Sequence, residues 1–309
     1  LAGTVIDMTK DGNTEAMAML LEIAKRPTGA RTLADEIVNE RGEKGKIKSA
    51  IVDTLVRLDR FDDAIEYAIE IKSLSDINYA FWGKIKNLGG ATDPRALDTL
   101  LAYAAILKSS VDGTDAVRGD AWREPSNKAG RLLSRQIPRG RLDERLNLII
   151  VLESIASLSG NEVYKDMALA EAETALPLAE RAFASRPSTD NAFNYAILLN
   201  KIGSSKLETA QRPAALQMLF KAGYILQELT GESGLFERPS DIRASINPIT
   251  GSDDSAKAKK IEALNILRSL IGIKIETLSQ REEIDNLNAA SQRIREQIRV
   301  LGGKPSESE

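Results

Sequence analysis

The sequence predicts an all-α protein built as a superhelical array of antiparallel helix pairs, an α-solenoid, followed by a C-terminal helical segment. Three observations predict this class. Apolar residues recur at helical spacing along most of the chain, alternating β-type runs are scarce, and short helical stretches follow one another in pairs joined by tight turns. A pair of short helices cannot bury its own apolar face, so neighbouring pairs must stack to build a core.

The first half of the chain is divided into helices by turn formers and capping residues. The predicted helices span residues 14–25, 46–58, 62–74, 77–88 and, after Asp93, through 107. Asp62 and Asp63 lie where a helix N-terminus favours carboxylates. Asp93 and Pro94 form an N-cap followed by proline at the first helical position.

The second half repeats the helical pattern after a less regular stretch. The predicted helices span residues 142–158, 161–185, 191–202 and 213–229, and the pattern resumes from 256 to 301. Pro177 lies inside one of them and predicts a kink or a break near Leu176. The resulting organisation is a helical repeat domain over 1–230 with an irregular basic segment at 109–140, a linker or long loop over 231–255, capping helices or a coiled coil over 256–301, and a flexible tail over 302–309.

The C-terminal helical pattern allows two interpretations. Its apolar residues step by three and four along Ile284, Leu287, Ser291, Ile294, Ile298 and Leu301. The register breaks before Ile284, where residues 279–282 match a capping box that would start a new helix. One interpretation is a coiled-coil dimer, which would make the chain a self-assembling homo-oligomer through 261–301. The other is a final hairpin that caps the exposed end of the solenoid.

The composition excludes most familiar enzyme classes. The 309 residues carry 42 Lys and Arg against 45 Asp and Glu, a net charge of −3, and neither His nor Cys. The absence of these two residue types excludes His-based acid–base catalysis, thiolate nucleophiles, zinc ribbons and disulfides. The near balance of charge also argues against a chain-wide affinity for nucleic acid.

No stretch approaches the ~20 consecutive apolar residues of a membrane-spanning helix. The N-terminus shows no signal peptide, so we expect a cytoplasmic protein. Because the chain begins with Leu1 and not with Met, we also expect it to be a processed product or an excised domain.

Small residues mark the best-defined repeat. Gly203, Ala215 and Ala222 are spaced by 12 and 7 residues, with Leu199 and Leu219 beside them. This pattern resembles the tetratricopeptide repeat, in its bacterial form. The likeness covers about half of residues 46–230, with weaker copies from Ile51 to Ala68 and from Trp82 to Ala96. One departure is Lys206, which stands where the family usually has an aromatic residue.

The resemblance implies a concave surface, lined by the first helix of each pair, that binds a peptide or a partner protein. Projected onto this chain, the binding positions are Lys46, Ser49, Asp53, Arg57, Lys84, Asn200 and Ser204. Asn200 is the best of these, since the family often uses Asn there to hold a peptide backbone. Solvated positions are the alternative for each. The expected function is therefore a non-enzymatic scaffold, adaptor or sensor module that needs no cofactor.

A basic segment at 118–145 offers a second surface. Its net charge is +4, because eight Lys and Arg face four Asp and Glu. The arginines of this patch are Arg118, Arg123, Arg131, Arg135, Arg139, Arg141 and Arg145. A solvated loop, an acidic protein surface and nucleic-acid phosphate are the alternatives. Trp122 is its only aromatic residue, so a stacking platform for single strands is poorly supported, and nucleic acid is not the favoured partner.

One acidic motif invites an enzymatic interpretation. Asp62, Asp63 and Glu66 fit the DDxxE form of a Mg²⁺-diphosphate site. Carboxylates at the start of a helix are the simpler interpretation, because no second acidic motif is evident and aromatic residues are few. Neither GxxxxGK[S/T] nor GxGxxG occurs. We therefore predict no catalytic, cofactor or metal residues.

Overall fold

The computed structural model describes residues 44–112 and 141–305. Within these residues every regular element longer than a single turn is an α-helix. The helices are α1 (Lys44–Arg57), α2 (Phe61–Glu70), α3 (Leu74–Asn87), α4 (Leu97–Asp112), α5 (Leu142–Ser159), α6 (Glu162–Ser185), α7 (Thr189–Lys206), α8 (Arg212–Thr230), α9 (Asp254–Glu276) and α10 (Arg281–Val300). The all-α class is confirmed, whereas the superhelical repeat arrangement stays a prediction. The helix predicted at 14–25 lies outside the described residues.

The chain divides into two compact units, Leu1–Ala168 and Leu169–Glu309. In the first unit α2 packs against both α1 and α3, and α4 packs against α5. The core is apolar with a stacked aromatic pair, since the ring centroids of Phe81 and Tyr103 lie 4.6 Å apart. The Tyr103 hydroxyl donates to the Asn78 side chain at 2.8 Å, which satisfies the one polar group of that pair.

In the second unit α8 packs against α7 and α9, and α9 packs against α10. α7 and α8 approach each other closely at Gly203, where an added Cβ would lie 2.8 Å from Cγ of Leu219. Ala215 and Ala222 of α8 are fully buried. The small residues of the repeat pattern are therefore buried in this helix pair, and at Gly203 the missing side chain lets the two helices approach.

Pro177 does not break its helix. α6 runs without interruption from Glu162 to Ser185, so of the two outcomes predicted near Leu176 the break is wrong and the kink stays a prediction. A proline inside a helix costs roughly 3 kcal/mol through a lost hydrogen bond and a steric clash. Burial of apolar residues on both sides, Ala172 and Ala175 before it and Ala179 and Phe183 after it, offsets that cost.

Three further boundaries differ from the sequence expectation. The helix predicted over 62–74 ends at Glu70, because Ser73 caps α3 by accepting from the Asp76 N–H. Residues 109–112, expected to be irregular, continue α4. The capping box expected at 279–282 does not form, since the N-cap of α10 is Gln280 and its side chain makes no capping hydrogen bond.

Residues 231–253 contain no helix or strand, yet they are packed and not merely solvated. Five of their apolar side chains are buried, namely Leu235, Phe236, Ile242, Ile246 and Ile249. We call residues 231–253 the packed segment. Its last part is tied to α8 by the Ile249 N–H, which donates to the Leu229 carbonyl at 2.7 Å.

None of the helices described in 44–112 and 141–305 has the length and apolar character needed to cross a membrane.

Candidate functional site

The second unit contains a cleft of about 950 Å³ between α6, α7, α8, the packed segment, the end of α9 and the start of α10. This volume lies at the upper end of the range of about 300–1,000 Å³ typical of ligand sites. Its lining combines apolar side chains with charged and polar ones. The apolar lining side chains are Leu176, Leu199, Met218, Phe220, Phe236, Pro239 and Leu278.

Gln227 holds the packed segment against α8. Its side-chain oxygen accepts from the backbone N–H groups of Leu235 at 3.0 Å and Phe236 at 2.8 Å. Its side-chain nitrogen donates to the Phe236 carbonyl at 3.0 Å. Gly223, one turn earlier on α8, leaves room for the Phe236 ring, since an added Cβ would lie 2.8 Å from it. Phe236 is therefore fixed in both position and orientation as a wall of the cleft.

A lysine-centred cluster forms one edge of the cleft. The ammonium group of Lys221 pairs with Asp241 of the packed segment and lies 3.7 Å from a carboxylate oxygen of Glu180. It also lies over the Tyr195 ring, 5.2 Å from the centroid. The Tyr195 hydroxyl donates to Glu180 at 2.9 Å. The four side chains thus connect α6, α7, α8 and the packed segment.

The titration of this cluster follows from its burial. Burial lowers the pKa of Lys221, but its contacts with Asp241 and Tyr195 outweigh that effect and the pKa is raised. Burial raises the pKa of Tyr195 to about 12, with the Glu180 carboxylate adding to the increase and Lys221 opposing it. Both groups therefore keep their protons at neutral pH. The tyrosine is a neutral donor, and the lysine is a cation whose charge is already matched.

A second lysine-centred cluster lies at Lys274 of α9. Its ammonium group donates to the Leu235 carbonyl at 2.7 Å, lies 5.5 Å from the Phe236 ring centroid and approaches Glu283 of α10 at 3.5 Å. Glu232 ties the packed segment to α10, because its carboxylate accepts from the Gln297 side chain at 2.7 Å. The packed segment is thus anchored to three helices.

Three of the predicted binding residues of the first unit make polar contacts at its surface. Ser49 donates to Asp76 at 2.9 Å, and Asp53 accepts from the Tyr79 hydroxyl at 2.8 Å. Arg57 pairs with Asp53 at 2.9 Å. The two hydrogen bonds join α1 to α3, whereas the Arg57–Asp53 pair lies within α1. Lys46 lies in the first turns of α1.

Lys84 and the DDxxE carboxylates meet one another. Lys84 of α3 donates to Asp62 of α2 at 2.7 Å, and Asp63 pairs with Arg60. Two of the three carboxylates of the motif are thus engaged by cations of the same unit. Among the described residues no cluster of three His, Cys, Asp or Glu side chains is arranged to hold a metal ion.

Asn200 and Ser204 do not line the cleft. Both lie on α7, where Tyr195 and Leu199 face the cleft. At 100° per residue, Asn200 and Ser204 project from another side of the helix. Asn200 is half-buried and Ser204 is exposed. The structure therefore separates these two predicted binding residues from the cleft of their own unit.

Most of the basic patch, from Arg118 to Arg139, lies outside the described residues. Arg141 is the exposed N-cap residue of α5, and its backbone N–H donates to Glu144 at 2.8 Å. Arg145 is largely buried, donating to the Val111 carbonyl at 3.2 Å and lying 3.6 Å from Asp112. Arg145 thus meets the C-terminal end of α4, where a cation is favoured by the helix dipole.

The apolar seam of the C-terminal helices is buried inside the chain. Leu264, Leu267 and Ile271 of α9 and Leu287, Ile294 and Ile298 of α10 are all at most 3% exposed. α9 and α10 pack on each other, so the seam that a coiled-coil dimer would use is occupied within one hairpin.

The sequence pattern did not predict the residues that build the cleft. Tyr195, Lys221 and Lys274 lie on predicted helices but match no motif. The packed segment did carry a signal, since apolar residues recur in it at Phe236, Ile242, Ile246 and Ile249, whereas a solvated linker would be polar.

Comparison of the chain with protein-family models, with curated proteins and with solved structures returns no match.

Proposed function

We propose that this chain is a non-enzymatic protein-interaction module that binds a peptide segment of a partner protein in the cleft of its second unit. One observation carries the proposal. The cleft combines apolar side chains from α6, α7, α8 and the packed segment with charged groups that come from α6, α8, α9, α10 and the packed segment. A small-molecule site places a few polar groups so that they converge on one point, whereas a peptide needs contacts spread along a groove.

The resemblance to tetratricopeptide repeats supports the same class of function. The helix pair α7–α8 carries the small-residue pattern of that family, with Gly203 against Leu219. The proposed site differs from the family's in position. Asn200 and Ser204 lie away from the cleft, and the polar groups of Ser49, Asp53 and Arg57 are bound within the first unit. We therefore assign the partner site to the cleft.

The alternatives from the sequence have less support. Arg145, the basic-segment residue whose surroundings are best defined, serves the packing of α4 and α5. The seam at 261–301 is filled within one hairpin, which favours the capping interpretation over self-assembly. The cytoplasmic location stays a prediction from the sequence.

Selection of displayed random peptides on the full chain tests the proposal. Ala214 is exposed on α8 and lines the cleft, so the indole of Ala214→Trp would occupy part of the cleft without replacing a core residue. Ala258→Trp, at an exposed alanine of α9 outside the cleft lining, is the matched control. We expect peptides that bind the native chain and the Ala258→Trp variant and lose binding to Ala214→Trp. Peptides that bind all three equally would refute the cleft as the partner site.

A further inference from the structure

The charged groups of the cleft are arranged so that cations lie inside and carboxylates lie outside. The side chains of Lys221 and Lys274 are 17% and 16% exposed, whereas those of Glu180, Asp241 and Glu283 are 55%, 59% and 42% exposed. Lys221 forms an ion pair with Asp241. Lys274 contacts Glu283 and donates a hydrogen bond to the Leu235 carbonyl. Their charge serves the packing of the unit and is not offered to a ligand.

The third cation of the lining, Arg238, is hydrogen-bonded within the packed segment. Arg238 donates from Nε to the Ile242 carbonyl and from Nη2 to the Arg243 carbonyl, each at 2.9 Å. These bonds close a turn within the packed segment. Among the described lining residues, all three cations are therefore bound to groups of the same unit.

The carboxylates, by contrast, keep acceptor capacity. Glu237 is exposed, lines the cleft, and has no side-chain hydrogen bond or ion pair with another described residue. The side chains of Glu180, Asp241 and Glu283 are about half exposed. Each of these carboxylates contacts a lysine or a tyrosine through one of its two oxygens. A carboxylate has about four acceptor positions, so each can accept further bonds from a ligand.

We propose that the occupant of the cleft is a basic peptide segment in which an apolar residue neighbours Lys or Arg. This proposal rests on the function proposed above and specifies its ligand. Apolar anchors and the aliphatic stems of Lys or Arg pack on Met218, Phe220 and Phe236, while the cationic ends reach Glu237 and Asp241. An acidic peptide would meet like charges at the four lining carboxylates, which disfavours that class of partner.

The probes are two libraries of short displayed peptides with the same Leu, Ala and Gly positions. In one library the remaining positions are Lys or Arg, and in the other they are Asp or Glu. Both are selected on the full chain and on its Ala214→Trp and Ala258→Trp variants. Enrichment of basic peptides on the native chain and on Ala258→Trp, with loss on Ala214→Trp, is the expected result.

A charge reversal then separates the cleft from the overall negative charge of the chain. Glu237→Lys should weaken binding of a selected basic peptide about three- to tenfold, since an exposed attraction is replaced by a repulsion. Glu208→Lys makes the same change at an exposed residue outside the cleft and should leave the affinity unchanged. Rising salt should weaken binding to the native chain as well.

Two results would overturn the inference, and they differ in what they say of the function. Cleft-dependent selection of acidic peptides, or of peptides that bind the native chain and Glu237→Lys equally, refutes a basic ligand and leaves the peptide cleft in place. Selection of no cleft-dependent peptide from either library refutes both. Thermal unfolding of Ala214→Trp and Ala258→Trp with the same midpoint shows that loss of binding is not loss of fold.

Discussion

Gly203 of α7 lies directly against Leu219 of α8, so closely that a methyl group on Gly203 would sit 2.8 Å from the Leu219 Cγ atom and 3.1 Å from the Ala215 carbonyl oxygen. Leu219 is fully buried, and a carbonyl oxygen belongs to the backbone. Neither atom can move aside at low cost, because interiors are close-packed. The glycine is required by packing, since it lies in the interior of a helix where alanine would otherwise be preferred.

The first prediction compares this glycine with another helical one. Gly272 of α9 has open space at its Cβ position. Gly272→Ala should raise the free energy of unfolding by about 0.5–1 kcal/mol through helix propensity. Gly203→Ala should lower it by up to about 2 kcal/mol, because an overpacking cost of about 1–3 kcal/mol outweighs the same propensity gain. Urea unfolding measures both, and an equal gain in the two variants would contradict the packing argument.

The second prediction concerns the anchoring of the packed segment. Gln227→Leu removes the partner of three backbone groups of Leu235 and Phe236. We expect a loss of about 3 kcal/mol in unfolding free energy, since each buried unpaired group costs about 1–3 kcal/mol and water reaches part of them after local opening. Trypsin should then cleave faster after Arg243, which is followed by Ala244. Gln217→Leu, at an exposed position of the same helix, is the control and should change neither rate nor stability.

How far the sequence predicted the fold is visible in particular residues. The Asp93 cap and the small residues Gly203, Ala215 and Ala222 were predicted correctly, because caps and close helix contacts depend on residues near one another in sequence. The sequence left open whether Pro177 kinks α6 or breaks it, and the helix is not broken. The packing that offsets the proline comes from Ala172, Ala175, Ala179 and Phe183 on the buried side of the helix, and it depends on neighbours that a local rule does not include.

The cleft was beyond prediction for the same reason. Lys221 meets Glu180 and Asp241 across separations of 41 and 20 residues, as the two ion pairs show. Lys274 donates to the carbonyl of Leu235, which lies 39 residues earlier in the chain. Such pairings follow from tertiary packing and have no periodicity along the chain. Only the apolar residues of the packed segment signalled in advance that this stretch would be buried.

The third prediction separates a capping hairpin from a dimer seam. Ile294 of α10 is fully buried, and Ile294→Ala should lower the free energy of unfolding by about 2–5 kcal/mol. The molar mass from light scattering should be the same for the variant and the native chain, because this side chain packs within its own hairpin. Val300, which is 79% exposed on the same helix, is the control, and Val300→Ala should change stability by about 0.5 kcal/mol or less. A fall in mass with Ile294→Ala would instead show that the seam joins two chains.

The fourth prediction is a pH dependence at Asp93. Its carboxylate accepts from the Arg95 side chain at 2.8 and 3.0 Å and from the Arg95 backbone N–H at 2.9 Å. These hydrogen bonds, the side-chain ones first, lower the pKa of Asp93 to about 2. A carboxyl group with a lowered folded-state pKa stabilises the fold above its ordinary pKa. That contribution is lost as the pH falls through the folded value of about 2.

The chemical shift of the Asp93 carboxyl carbon, assigned with Asp93→Asn, measures this pKa directly. We expect a midpoint of about 2 in the native chain. In Arg95→Ala the midpoint should rise part of the way towards its ordinary value, because the side-chain bonds are removed while the backbone N–H of residue 95 still donates. The stabilising effect of the carboxylate should then disappear at a higher pH than in the native chain. An unchanged midpoint in Arg95→Ala would mean that the backbone N–H alone sets the pKa and that the guanidinium contributes nothing to the cap.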